Sequence, residues 1–342
     1  MTTKAYGFTS PTSPCAPLEI ERREPGAYDV AFDIAYCGIC HSDIHTARSE
    51  WGPARYPLVV GHEITGTVTS VGSAVTKFRP GDRVGVGCMV GSCGECDYCH
   101  HALEQFCDKG IYTYNSRDRD GGTTQGGYAR AIVVQENFVF RMPDAIPLDA
   151  GAPLLCAGIT TYSPLKRWVE PGKKVAVVGL GGLGHVGVQI AAAMGAEVSV
   201  ISQTLSKQAD GLALGATNYY ATSEEGTFKR LAGAFDMILC TVSSTDDFTS
   251  YIGCLTKDGV IVNLGMPSTP VEIHIRALTP RRTLQGSLIG GTAETQEMLD
   301  FCAEHGVLPR IETIAAEDIT EAFDKVVRSE VRYRYVIDTA TI

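Results

Sequence analysis

The sequence predicts an α/β protein of two domains, one rich in β-strands and one a doubly wound parallel sheet with helices. Three observations predict it. Residues 4–85 alternate short β-branched runs with Gly and Pro punctuation, as strands joined by tight turns do. Residues 173–201 read as strand, Gly-rich turn, apolar helix and second strand. At 342 residues the chain has an ordinary length for two domains, each with a full core. No internal repeat or low-complexity segment interrupts the pattern.

Composition excludes several classes. A hydrophobic share of 44% and a charged share of 20% describe a soluble globular protein. No apolar run reaches the ~18 residues that a membrane helix needs, so no membrane partner is expected. Net charge of −10 argues against a nucleic-acid surface, which wants clustered Lys and Arg. Met1-Thr2-Thr3-Lys4 leads into no apolar signal region, so the cytoplasm is the expected compartment. There the twelve cysteines stay reduced and point to metal rather than to disulfides.

In the first domain, Asp29–Ala35 and Ile64–Val71 read as strands, and Pro80-Gly81-Asp82-Arg83-Val84 as a turn entering another. No helix is expected across residues 4–85. The stretch Tyr36-Cys37-Gly38-Ile39-Cys40-His41-Ser42-Asp43-Ile44-His45 packs thiols, a hydroxyl, a carboxylate and two imidazoles together. With Gly61-His62-Glu63 and Cys156 it can supply a Cys₂His set, which suits a catalytic zinc with one open corner.

Cys93, Cys96, Cys99 and Cys107 form a second set. Thiols three residues apart on a turning backbone face one centre, and the fourth closes a tetrahedron. Such a zinc is structural and folds the lobe that carries it. The neighbours Glu95, Asp97, Glu104 and Asp108 are acidic, which excludes a phosphate-binding zinc ribbon. Cys15, Cys37, Cys88, Cys240, Cys254 and Cys302 show no ligand spacing and read as small buried hydrophobes. Arg117–Gly127 is a polar, Gly-rich loop.

The second domain opens after Pro171-Gly172 with the strand Lys173–Val178. Gly179-Leu180-Gly181-Gly182-Leu183-Gly184, the helix His185–Met194 and the strand Glu197–Ile201 follow. That order is the dinucleotide-binding unit. Gly179 permits the tight turn, Gly181 lets backbone approach the pyrophosphate, and Gly184 allows close packing of helix on strand. The helix N-terminus favours the phosphate charge. Phe235–Thr241, Gly259–Leu264 and Thr283–Leu288 supply further strands. Thr295–Glu304 and Ile319–Val327 carry apolar residues at helical spacing, and Tyr333–Ile337 ends the chain's pattern as a strand.

Taken together, these motifs resemble the zinc-containing medium-chain alcohol dehydrogenases, most closely the cinnamyl-alcohol dehydrogenase group with its broad-specificity bacterial aldehyde reductases. The carrying residues are Cys37 to His45, Gly61 to Glu63, the Cys93–Cys107 lobe, Ala152 to Ser163, Gly179 to Gly184, and Met298 to His305. The resemblance implies a GroES-like catalytic domain over 1–150 and 290–342, with the structural zinc lobe at 88–110. A Rossmann domain then spans 151–289. It implies two zinc ions per chain, NADP(H), a small alcohol or aldehyde as substrate, and a homodimer joined through the cofactor domains.

It also implies roles residue by residue. Cys40, His62 and Cys156 hold the catalytic zinc, Cys37 is a bystander, and Glu63 can enter the metal shell. Asp43 orients His62. Ser42 is the first relay hydroxyl and His45 the imidazole at its solvent end. His41 meets the cofactor pyrophosphate. Thr160, Thr241, Gly265, Ser287 and Ile289 join Gly179, Leu180, Gly181, Gly182, Leu183 and Gly184 on the cofactor. Trp51, Cys88, Tyr112, Leu288 and Ile289 are expected to line the substrate pocket, which is then mostly apolar or aromatic.

The second strand of the dinucleotide unit ends in Ser202-Gln203-Thr204, with Lys207 shortly after, where an NAD-preferring unit has an acid. NADP(H) is therefore expected. Two rivals share parts of the pattern. A polyol or sugar-alcohol dehydrogenase would want more hydrogen-bonding side chains near the metal. A catalytically silent zinc-bearing binding protein would lack a ligand or relay residue, and none is missing.

Overall fold

A computed structural model describes residues 1–243, 248–267 and 269–342. They divide into two compact units, Met1–Cys156 with Gly290–Ile342, and Ala157–Ile289. The first unit thus runs beyond residue 150. The short helix Leu148–Gly151 and the 3₁₀ turn Ala152–Leu155 pack on the strands Asp29–Gly38 and Ile64–Val71, and this burial carries Cys156 with them. Among the described residues, no helix is long and apolar enough to cross a membrane.

The first unit is built on a seven-stranded sheet. Its order is Ile311–Ile314, Arg334–Asp338, Asp29–Gly38, Ile64–Val71, Arg83–Val86 and Phe140–Arg141, with Ala131–Gln135 also paired to Asp29–Gly38. Asp29–Gly38 is the hub. Val30, Phe32, Ile34 and Cys37 are almost completely buried along it. At about 25 cal/mol per Å² such burial is the main stabilising term of the unit. The C-terminal strand begins at Arg334 rather than Tyr333 and ends at Asp338. The helix expected over Thr295–Glu304 is longer, Thr292–His305, because Glu104 accepts from Thr292 N at 2.9 Å and caps its start. The helix Ile319–Val327 has the expected bounds.

The reading of residues 4–85 without a helix is incorrect. His41–Ala47 is helical. Its seven residues are too few for a periodic signal, and a local bond starts it: Cys40 N donates to the Asp43 carboxylate at 2.8 Å.

The second unit holds a six-stranded parallel sheet. Its order is Asn218–Ala221, Glu197–Ser202, Lys174–Val178, Phe235–Cys240, Leu255–Asn263 and Thr283–Gly286. In chain order that is 3-2-1-4-5-6, the doubly wound pattern. Val175–Val178 and Met237–Cys240 are buried apolar runs, and Val198–Ile201 is buried with Ser199 as its one polar residue, as parallel strands covered on both faces require. The last strand stops at Gly286 rather than Leu288, and the first helix spans Gly184–Ala193.

Candidate active site

Strand register brings the sequence fragments together. Asp29–Gly38 and Ile64–Val71 pair antiparallel with Cys37 opposite Ile64, so residues 38–40 leave one strand where 61–63 enter the next. Gly38 N donates to Glu63 O at 2.9 Å. A Cβ at Gly38 would lie 2.0 Å from Glu63 Oε2, so only glycine lets the carboxylate fit there. Cys156 arrives from the 3₁₀ turn packed on these strands. The ligand atoms of Cys40, His62, Glu63 and Cys156 all lie within 4.8 Å of one another, and all four residues are buried.

The donor set fits a zinc ion. The Cys40 and Cys156 sulfurs are 3.9 Å apart, close to the roughly 3.8 Å expected of two sulfurs at about 2.3 Å from one tetrahedral centre. His62 Nε2 and Glu63 Oε2 are buried and find no hydrogen-bond partner among the described residues. Buried polar atoms are nearly always satisfied, so both are ready to serve a cation. Cys37 is turned elsewhere, its thiol 3.7 Å from Gly38 O.

Asp43 does two jobs. One carboxylate oxygen takes Cys40 N and the Tyr128 hydroxyl, at 2.8 and 3.1 Å. The other takes Gly61 N at 3.0 Å and faces His62 Nδ1 at 3.2 Å. It fixes the turn that carries His62 and the tautomer of its ring together.

Electrostatics favour ligand chemistry. The hydrogen bond from Cys156 draws the Cys40 thiol well below the usual range against its burial, with His62 adding to the effect. Cys156 is correspondingly raised. Burial disfavours charge on His62, but the acidic groups around it, Tyr114, Cys88 and Asp43, outweigh burial and raise its pKa. A proton and a metal therefore compete for this ring. Cys88 also turns to the cluster, and hydrogen bonding with Cys156 draws its thiol down to about 6. The reading of Cys88 as an inert buried thiol does not hold, since it is only partly buried and stands beside Cys156 and His62.

Behind the metal set lies a residue the sequence reading missed. Arg334 donates to Glu63 Oε1, and both side chains are buried. The C-terminal strand pairs Val336 with Gly38 and Ile337 with Cys37, which delivers Arg334 to this point. An arginine opening the apolar run Tyr-Val-Ile was the available signal.

Ser42 stands beside the ligands, its Oγ 3.6 Å from Cys40 Sγ. His45, one turn on, is half-buried; its Nδ1 pairs with the Glu50 carboxylate and its ring stacks on Trp51 at 4.7 Å. Glu50 is the second residue missed. Trp51 and Tyr112 are exposed at 44% and 43%, available to a ligand. Leu288 and Ile289 belong to the other unit.

The four lobe cysteines also gather, with ligand atoms within 4.8 Å. The separations Cys93–Cys107, Cys96–Cys99 and Cys93–Cys99 are 3.5, 3.6 and 3.8 Å. Glu95 N and Cys96 N donate to Cys93 Sγ, so its thiol falls to about 6. The strands Met89–Gly91 and Ile111–Tyr112 pair antiparallel and close the lobe at its base.

In the second unit, Gly179 has φ +89° and a Cβ at Gly184 would meet Gly179 O at 1.9 Å, whereas Gly181 faces open space. Thr241 Oγ1 donates to Val178 O at 2.8 Å, beside the turn. A Cβ at Gly265 would meet Val242 O, so that loop also runs close. Ser202 ends its strand, Gln203 accepts from Ser223 N, and Thr204 caps the next turn. Lys207 Nζ reaches back to Leu180 O at 3.1 Å. Thr160 lies in the helix Ala157–Trp168, and Ser287 follows the last strand. His41 is exposed in the first turn of its helix.

A thiolate–imidazole metal set on a β-rich unit, with a doubly wound nucleotide unit in the same chain, defines a zinc-dependent oxidoreductase. Residues 26–144 match the alcohol dehydrogenase GroES-like domain, and residues 182–304 the zinc-binding dehydrogenase domain. The NADP-dependent alcohol dehydrogenase C 1 of Mycolicibacterium smegmatis is 60% identical over 100% of this chain and 99% of its own. The cinnamyl alcohol dehydrogenase structure from Sorghum bicolor is 40% identical with a TM-score of 0.97, covering 99% of this chain and 98% of its own. The Helicobacter pylori cinnamyl alcohol dehydrogenase complexed with NADP(H) is 41% identical with a TM-score of 0.94 and 99% coverage of both chains. The chain belongs to the zinc-containing alcohol dehydrogenase family. Within it, the resemblance is to the cinnamyl-alcohol dehydrogenase group.

Proposed function

We propose that this protein interconverts primary alcohols and aldehydes, of aromatic, cinnamyl or medium-chain aliphatic type, with NADP(H) as hydride carrier. The observation that carries the reading is the buried Cys40–His62–Cys156 set, with His62 Nε2 unpartnered among the described residues and Ser42 beside it. When bound, zinc supplies a Lewis acid for the substrate oxygen, and the nicotinamide supplies hydride. Cys40, His62 and Cys156 hold the metal, and Glu63 stands behind them. Cys93, Cys96, Cys99 and Cys107 hold the structural ion.

The chain's own groups manage the proton. Ser42 holds it nearest the reacting oxygen. His45, partly exposed, exchanges it with solvent, and Glu50 orients the imidazole. Asp43 keeps His62 in the tautomer that presents Nε2. His41 is assigned to the cofactor pyrophosphate. The Gly179–Gly184 turn, Ser202, Gln203, Thr204 and Lys207 take the adenosine half, and Thr160, Thr241, Gly265, Ser287 and Ile289 take the rest.

Trp51, Tyr112 and Cys88 give the substrate side of the first unit an apolar and aromatic character, which disfavours polyols. The half-exposed edge strand Thr283–Gly286, with Leu284 38% exposed, supports a homodimer joined through the second unit. The proposed compartment is the cytoplasm. An aldehyde panel with NADPH and NADH, followed by absorbance loss, tests the reading. No turnover by the zinc-loaded protein on any aldehyde would refute it.

A further inference from the structure

We propose that Tyr114 is a positioning residue for His62, its hydroxyl oxygen accepting from Nδ1–H beside Asp43 so that the ring holds Nε2 toward the metal. His62 Nδ1 lies 3.0 Å from Tyr114 Oη and 3.2 Å from Asp43 Oδ1. A neutral imidazole has one N–H, and its hydrogen bond runs to the Tyr114 oxygen, with the Asp43 carboxylate facing the same nitrogen from beside it. The rings lie 5.6 Å apart at 37°, and Tyr114 is 9% exposed.

Asp43 cannot hold the ring alone. Three donors already divide its charge: Cys40 N, Tyr128 Oη and Gly61 N. The carboxylate is immobilised by bonds to the turns around it, and the imidazole meets only one of its oxygens. A second acceptor from another element restricts the rotation that a single bond leaves free.

Tyr114 is itself fixed on both sides. Thr113 N donates to Cys88 O at 3.0 Å and Thr113 Oγ1 to Gly87 O, while Asn115 N donates to Thr124 O at 3.0 Å. It stands two residues beyond Tyr112, whose strand closes the four-cysteine lobe. The lobe's closing hairpin thus delivers the hydroxyl that steadies a ligand of the other metal site.

The test uses full-length protein with cobalt(II) exchanged into the Cys40–His62–Cys156 site. Two quantities are read: the cobalt ligand-field bands and the rate of chelator-driven metal release. Tyr114→Phe removes the hydroxyl and keeps the buried ring. It should shift the bands and speed release by about tenfold, the lower end for loss of an outer-shell partner. Tyr128→Phe is the comparator, since it removes a hydroxyl from Asp43 without touching the imidazole; both readouts should stay near the parent. A Tyr114→Phe protein with parent bands and release rate overturns the proposal. So does an equal effect of Tyr128→Phe, which would place the influence in Asp43. If Tyr114→Phe does not fold, 3,5-difluorotyrosine at position 114 keeps ring and hydroxyl but alters its hydrogen bonding. The bands should then still move, and unmoved bands overturn the proposal.

Discussion

Arg334 and Glu63 form an ion pair with side-chain exposures of 3% and 0%, joining the C-terminal strand to the turn that carries His62. Neither charge reaches water. Removing one partner of such a pair leaves the other uncompensated, typically at a cost of about 3–5 kcal/mol. Arg334→Leu should therefore lose roughly that much stability in denaturant unfolding and lower the zinc content. Adding Glu63→Gln should recover part of the loss, since the buried charge then disappears. A single variant within about 1 kcal/mol of the parent would show that the pair does not hold the site together.

The two metal sets should fail differently. Cys40→Ser removes a ligand of the buried site, and the strands that build that site stand without it. It should lose about half the zinc and nearly all activity while staying folded. Cys99→Ser opens a lobe whose base is the short pairing of Met89–Gly91 with Ile111–Tyr112. Structural zinc contributes folding energy outright, so solubility and melting temperature should fall instead. Elemental analysis giving one zinc per chain in active parent enzyme would defeat this division.

What the sequence disclosed was whatever rests on local spacing. The four-cysteine lobe, the Gly179–Gly184 turn and the buried apolar strands each announce themselves within a few residues. The choice of Cys40 over Cys37 came from resemblance, and the structure gives its reason: Cys37 lies within the strand and Cys40 at its exit. Arg334 and Tyr114 stayed hidden because their roles arise from register. Arg334 is 271 positions from Glu63, and Tyr114 is 52 from His62. The helix His41–Ala47 was missed because a capping bond, rather than a periodic pattern, makes it.

The proton path predicts a graded series. Ser42 sits beside Cys40 and has no substitute, so Ser42→Ala should lower turnover about 10²-fold or more with zinc content unchanged. His45 is partly exposed, so His45→Gln should cost less and recover in concentrated buffer. Glu50→Gln removes the anion that pairs with the imidazole and should lower turnover more mildly. Equal losses in all three variants, indifferent to buffer, would count against the path.

Within the lobe Cys93 keeps its negative charge to lower pH than Cys96, whose thiol is pushed up to about 11 by burial and its bonds to the other sulfurs. Backbone N–H groups of Glu95 and Cys96 hold the Cys93 thiol at about 6, below the ordinary cysteine value of about 8.5. A depressed folded value means the thiolate's contribution is fully present above the unfolded value. It is lost as pH falls through about 6. Zinc uptake by the metal-free lobe should therefore lose the Cys93 contribution as pH falls from roughly 8.5 through about 6. An uptake affinity that is flat across that window would show that another ligand governs the lobe.

Cofactor choice rests on the end of one strand. Glu197–Ser202 runs parallel to Lys174–Val178, with Glu197 opposite Lys174 at the far end of the sheet. That acid cannot reach an adenosine ribose at the other end. Ser202 closes the strand where an NAD-preferring unit places its carboxylate, and a hydroxyl there does not repel a 2′-phosphate. Ser202 is not spent as a cap either, because Thr204 accepts from Ser206 N and starts the following turn. Lys207, held 3.1 Å from Leu180 O, keeps its ammonium at the Gly-rich turn and adds positive charge. Ser202→Asp should weaken NADPH by like-charge repulsion and gain a ribose bond to NADH, moving the preference by ~1–3 kcal/mol. Lys207→Ala should weaken NADPH and leave NADH nearly untouched. The measurement is kcat/KM for both cofactors in the parent and the two variants, at one ionic strength because salt screens the charge. A parent that turns over NADH with the higher kcat/KM, or a Ser202→Asp variant that keeps the parent's ratio, would place the selectivity outside this strand end.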